Sequence, residues 1–92
     1  MFTGIIREIG TVVSLKCRRG LVELAGAAPH TAPAVQPMDS VAIQGVCLTA
    51  VRVQRSVMVF ELIPETQRLT ALGRLRQGAA VHVEPSLGLT DR

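Results

Sequence analysis

The sequence predicts a compact all-β fold, a small antiparallel barrel that carries one short helix. Three observations predict it. β-branched residues recur with a period of two in several short runs. Single glycines, Gly10 and Gly45, interrupt those runs, as the sharply bent strands of a small barrel require. The runs follow one another at turn spacing within 92 residues. That length makes one domain over residues 1–92, with a modest core, because a chain of this size buries about 60–65% of its unfolded surface.

The opening segment, MFTGIIREIGTVVSLK, alternates Ile5, Arg7, Ile9, Thr11, Val13 and Leu15 with Ile6, Glu8, Gly10, Val12 and Ser14. It reads as a strand with a bulge or bend at Gly10. CRRG at 17–20 reads as a turn, and its charges, with Lys16, as a solvated loop tip. LVELA at 21–25 is a second strand. GAAPHTAPAVQPMD, rich in alanine and proline, reads as a mobile loop outside the core, with His30 solvated in it. SVAIQGVCLTAVRV at 40–53 is too long for one straight strand, and Gly45 is expected to bend it. After a QRS turn, VMVFELI at 57–63 pairs back as a hairpin. Pro64-Glu65-Thr66 breaks the pattern. Thr66 is the expected N-cap of a short helix with Leu69 and Leu72 on its apolar side and Gly73 at its end. Gly78 turns the chain into AAVHVE, a last strand in which His82 faces away from Val81 and Val83.

Composition narrows the function classes. The hydrophobic fraction is 48% but the aromatic fraction only 2%, from Phe2 and Phe60. A nucleic-acid-binding barrel stacks bases on exposed aromatics, so the net charge of +3 does not by itself point to nucleic acid. The apolar runs fall far short of the ~20 residues that a membrane-spanning helix needs, and the N-terminus opens directly on strand-like sequence, with no targeting peptide expected. Cys17 and Cys47 form no CxxC pair, and no histidine spacing completes a zinc set. Two thiols in a small chain fit a reducing cytoplasm.

The chemistry concentrates in GVCLTAV, residues 45–51, where Cys47 and Thr49 share one strand face. A cysteine in an apolar strand is most often a small packing residue, and a threonine there a plain β-former. A ligand-contacting role is the competing reading. Glu65 and Thr66 are open in the same way: a helix start with its acid favoured by the dipole, or two polar groups beside a ligand.

MFTGI at 1–5, DSVAIQGVCLT at 39–49, FELIPET at 60–66, TALG at 70–73, Gly78 and VHVE at 81–84 stand in one order along nearly the whole chain. In that order they resemble the repeated barrel domain of the riboflavin synthase and lumazine protein family, the N-terminal repeat above all. The resemblance implies a six-stranded Greek-key barrel with one short helix. It implies a shallow pocket for riboflavin, FMN or 6,7-dimethyl-8-ribityllumazine, with no metal and no separate cofactor. Cys47 and Thr49 would line that pocket, Ile63 and Pro64 would form apolar walls, and Glu65 and Thr66 would meet the polar atoms. Thr3, Gly4, Ile5 and Ile6 would approach the ligand of a neighbouring barrel. The residue types suit a flat ring with a polyol tail: Gly4 and Gly45 allow close backbone approach, a threonine hydroxyl reads ring-edge polar atoms, and a carboxylate accepts from ribityl hydroxyls.

The chain departs from the family at Met38, where glycine is usual, at Gln44 and His82, where asparagine is usual, and at Pro85 in place of an arginine. These bear on turn geometry and ring-edge contacts. The family's synthases carry two such barrels and transfer a four-carbon unit between two lumazines held face to face. The implied function is therefore flavin or lumazine binding by a cytoplasmic homodimer or homotrimer of single barrels. The alternative is an active synthase that holds its two substrates across a homo-oligomer interface.

Overall fold

The computed structural model describes residues 8–86. Six strands form one closed antiparallel barrel: β1 (Glu8–Arg18), β2 (Leu21–Ala27), β3 (Ser40–Ile43), β4 (Val46–Gln54), β5 (Val57–Leu62) and β6 (Ala80–Pro85). Their order around the barrel is β1-β2-β5-β4-β3-β6. β2 thus pairs with β5 and not with its successor β3, which is Greek-key connectivity. One α-helix, α1 (Pro64–Leu69), follows β5, and short 3₁₀ turns lie at Ala32–Ala34 and Ala71–Arg74.

Period-two patterning sets the wall. Val22 and Leu24 of β2, Val41 and Ile43 of β3, Leu48 and Ala50 of β4, Met58, Phe60 and Leu62 of β5, and Val81 and Val83 of β6 point inward into one core. His82 is exposed between Val81 and Val83 as expected. The barrel closes because β1 serves two neighbours. Its first residues pair with β6, Glu8 opposite Val83 and Thr11 opposite Ala80, and the rest pair with β2, with a register shift between Val12 and Ser14. The irregularity expected at Gly10 lies instead between Val12 and Ser14, and Gly10 itself pairs in regular register with Val81.

Three two-residue turns connect hairpins. In Arg19-Gly20 and Gln44-Gly45 both residues have positive φ (54° and 78°, 53° and 78°), the primed-turn backbone that matches strand twist. Gly45 therefore ends β3 instead of bending one long strand, and Ile43 lies opposite Val46. The Gln44 side chain then ties this hairpin to β6: its Oε1 accepts from the His82 N–H at 2.6 Å, and its own N–H donates to the His82 carbonyl at 3.0 Å.

Two further expectations are corrected. The 26–39 segment is not a loop outside the core. Ala28, Thr31, Ala32 and Val35 are buried, and all but Thr31 join the core cluster. The Glu8 carboxylate accepts from the N–H groups of His30 and Thr31 at 3.1 and 2.9 Å, so a side chain supplies the pairing that a ladder would otherwise give. Alanine and proline suit this role, being small enough to pack closely and stiff enough to lose little entropy. Thr66 is not the helix cap. Ile63 holds the N-cap position without a side-chain bond, and Pro64 starts the helix through its fixed φ. Thr70 caps the 3₁₀ turn that follows, its hydroxyl accepting from the Leu72 N–H while donating to the Thr66 carbonyl. Leu72 is buried, whereas Leu69 is 69% exposed, so α1 rides on the surface.

Met38, where the resemblance noted above leads one to expect glycine, has φ 76° and is 72% exposed. A side chain in this region costs about 1–2 kcal/mol, part of which glycine's greater unfolded-state freedom offsets. Met38→Gly is therefore expected to stabilise the fold by about 0.5–1 kcal/mol and to raise the thermal midpoint by about 3–6 °C. A lower midpoint in a calorimetric scan would contradict this reading of the turn.

Candidate functional site

Strand alternation decides which side of β4 is free to bind. Leu48 and Ala50 are buried, so Val46–Ala50 shows Cys47 and Thr49 outward, and both are exposed. The packing reading of Cys47 is thereby overturned, because its thiol faces away from the core. The β3–β4 register sets Ser40 opposite Thr49 and Ala42 opposite Cys47, and β6 brings Glu84 opposite Ala42. Cys47, Ala42 and Glu84 thus form one row across three strands on the outer surface. Glu84 is only 8% exposed, which makes that end of the row sheltered.

The second wall comes from the end of β5. Ala50 pairs with Phe60, and the antiparallel course carries the residues after Phe60 back along those that precede Ala50. This brings Ile63–Thr66 to the same end of the barrel as Leu48 and Cys47. Ile63 is 55% exposed, an apolar surface held out by the switch from strand to helix. Pro64 and Glu65 are exposed and Thr66 is half-buried. Glu65 lies in the first turn of α1.

Of the residues singled out from sequence, Cys47 and Thr49 share the outer face of β4, Ile63 stands at the end of the neighbouring strand β5, and Pro64, Glu65 and Thr66 follow it in α1. Thr3, Gly4, Ile5 and Ile6 lie outside the described residues. Ser40 was missed, since its place opposite Thr49 depends on a register that no local pattern reveals. Among the described residues neither the Cys47 thiol nor the Thr49 hydroxyl is engaged in a hydrogen bond, and no group of three histidine, cysteine or acidic side chains could hold a metal ion. Among the described residues no helix is long and apolar enough to cross a membrane.

Chemically, the surface offers one apolar support, uncommitted hydroxyl and thiol groups, and a solvent-facing carboxylate. Such a surface can hold a flat heterocycle against Ile63, meet its edge with Thr49 and Ser40, and accept hydrogen bonds from a polyol at Glu65.

The model of the lumazine binding domain family matches residues 3–86 of this chain. The chain is 37% identical over 92 residues to the riboflavin synthase of Chlamydia pneumoniae, an alignment that takes in 99% of this chain and 46% of that protein. It spans less than half the length of such relatives. Among solved structures it resembles LumP complexed with riboflavin, with a TM-score of 0.85 and 21% identity over 96% of this chain and 48% of the other. It also resembles LumP complexed with 6,7-dimethyl-8-(1′-D-ribityl) lumazine, with a TM-score of 0.81 and 23% identity over 92% and 47%.

Proposed function

Because the chain belongs to the lumazine-binding domain family, we propose that residues 1–92 act as one such domain and bind riboflavin, 6,7-dimethyl-8-ribityllumazine or a related flavin on the outer face of β4. One observation carries the reading: Cys47 and Thr49 face outward together with uncommitted side chains, next to the exposed Ile63. Cys47 and Thr49 line the pocket near the ribityl chain or the ring, Ile63 and Pro64 form its apolar walls, and Glu65 and Thr66 sit by the ligand's polar atoms. Thr3, Gly4, Ile5 and Ile6 approach the ligand of a neighbouring copy in a homodimer or homotrimer. No metal or separate cofactor takes part. Exposed Cys17 and Cys47 suit a reducing cytoplasm.

Titration of riboflavin with the protein is expected to quench flavin fluorescence to saturation, and an unchanged signal at high micromolar flavin sinks the proposal. Thr49→Val keeps the side-chain shape and deletes the hydroxyl. It is expected to weaken flavin binding about 5- to 10-fold, the loss of one hydrogen bond of about 1–1.5 kcal/mol. The exposed position leaves the thermal midpoint almost unmoved.

A second reading is supported by the identity with riboflavin synthases along the whole chain. If neighbouring copies hold two lumazines in register, that positioning is the main catalytic requirement, and incubation with 6,7-dimethyl-8-ribityllumazine yields riboflavin. Binding without turnover assigns the protein to ligand carriage.

A further inference from the structure

β1 runs on past the strand that closes the barrel. Its residues 8–11 pair with β6. The Val12 N–H then donates to the Ala79 carbonyl, and the Val12 carbonyl accepts from the Gly78 N–H, both at 2.8 Å. The chain turns at Gly78, where φ is 88°. Past the register shift, residues 14–18 of β1 pair with β2 alone. Among the described residues no backbone hydrogen bond from any other segment reaches residues 15–18.

The turn decides which backbone groups are left over. In a two-residue primed hairpin the residues flanking the turn exchange both hydrogen bonds, and bonded and non-bonded pairs alternate from there. Arg18 faces Leu21 across the Arg19-Gly20 turn. Arg18 and Lys16 therefore bond to β2, whereas the N–H and C=O groups of Cys17 and Leu15 point to the open side of β1. That side carries one sign of charge. Lys16, Arg18 and Arg19 are exposed. Lys16 lies opposite Glu23, but the Glu23 carboxylate is 3.2 Å from Arg52, and among the described residues none of the three cations is in an ion pair. Leu15 and Cys17 lie on the other face of the strand, Leu15 packed against the core and Cys17 exposed.

We propose that this edge of β1 is a docking site for an extended acidic segment of another protein, which adds one strand to the barrel wall beside Leu15 and Cys17. Main-chain hydrogen bonds to those two residues hold the segment. Its acidic side chains, at alternate positions, meet Lys16 and Arg18, and the apolar ones between them meet Leu15 and Cys17. Opposite charges facing each other across a ladder stabilise the pairing, and like charges oppose it. The same rule disfavours a second copy of this chain. A two-fold antiparallel pairing that joins Leu15 of each copy to Cys17 of the other sets Lys16 against Lys16. Cations on an edge strand ordinarily keep other strands away; here they exclude an identical edge and admit one of opposite charge. Flavin binding plays no part in this docking.

The test titrates the isotope-labelled full chain with a blocked Glu-Val-Glu-Val-Glu peptide and with its Lys-Val-Lys-Val-Lys counterpart, and reads amide shifts and hydrogen exchange. The acidic peptide at saturation is expected to slow exchange of the Leu15 and Cys17 amides about tenfold or more, and the basic peptide to leave them unchanged. Lys16→Gln/Arg18→Gln is expected to weaken binding of the acidic peptide about tenfold, and Lys16→Glu/Arg18→Glu to reverse the preference between the peptides. Cys17→Pro removes a donor that β2 does not use, so it is expected to abolish docking while a thermal scan shows the fold intact. Should that variant fail to fold, the glutamine variant, which touches no backbone bond, decides. Unslowed exchange at Leu15 and Cys17, an equal response to both peptides, or binding that survives the glutamine variant overturns the site. Protection of the two amides by raised protein concentration alone assigns the edge to a second copy and overturns the acidic partner.

Discussion

Phe60→Ala is expected to remove about 3–5 kcal/mol of stability, out of the roughly 5–14 kcal/mol that a chain of this length carries. Phe60 heads the largest fully buried side chains. It lies opposite Leu24 of β2 on one side and Ala50 of β4 on the other. The small Ala50 makes room for the ring, as a small barrel needs when large and small inward residues alternate. The cavity left by the truncation cannot collapse easily, because closing it would pull β5 away from two ladders at once. The cost is therefore expected at the upper part of the range. Phe60→Leu, which keeps most of the volume, should cost about 1–1.5 kcal/mol. Urea unfolding at constant slope measures both. A Phe60→Ala loss below about 1 kcal/mol would show that the barrel relaxes around the void and that Phe60 does not organise the core.

Two glycines on adjoining strands are expected to respond to the same substitution with opposite signs. A Cβ at Gly10 would stand 2.6 Å from the Ala27 carbonyl oxygen and 3.1 Å from Val83 Cγ2. The first contact is to backbone. That backbone is held, since Thr11 pairs with Ala27 and the N–H of Ala28 donates to the Ser56 carbonyl at 2.8 Å. Gly10→Ala must therefore spread β1 from β2 where β1 changes partner, and is expected to destabilise by about 1–3 kcal/mol. At Gly26 a Cβ would meet nothing nearer than the Thr11 carbonyl oxygen at 3.9 Å, and the backbone there has no positive φ. Gly26→Ala is expected to stabilise by about 0.4–1 kcal/mol by restricting the unfolded chain. Equal midpoints for the two variants would remove close strand approach as the reason for glycine at position 10.

The barrel was legible because its wall is local information repeated. Alternation in VMVFEL and AVHVE sorts inward from outward residues whatever the partner strand is, and it placed Cys47 with Thr49 on one face and His82 away from the core. Residue identity misled where burial depends on long-range packing. Alanine and proline in the 26–39 segment resemble a solvated loop, yet the Glu8 carboxylate and the barrel core receive that segment. Thr66 has the right chemistry for a cap, but Pro64 fixes the helix start two residues earlier, which leaves Thr66 inside the helix.

By itself, the sequence determined the strand alternation, the hairpin turns after β1 and after β4 and, through its ordered motifs, the family, whereas the Gln44-Gly45 turn read as a bend in one long strand. Those depend on side-chain period, on backbone preference at a few turn residues and on motif order, all readable without a partner. Only the tertiary structure decided that β1 closes the barrel by pairing with both β2 and β6, that Ser40 faces Thr49, and that Leu15 and Cys17 stand on a stretch of β1 that pairs with β2 alone. Each of these depends on the register between strands. Such juxtapositions are set by the joint packing of the whole core, not by any one stretch of chain.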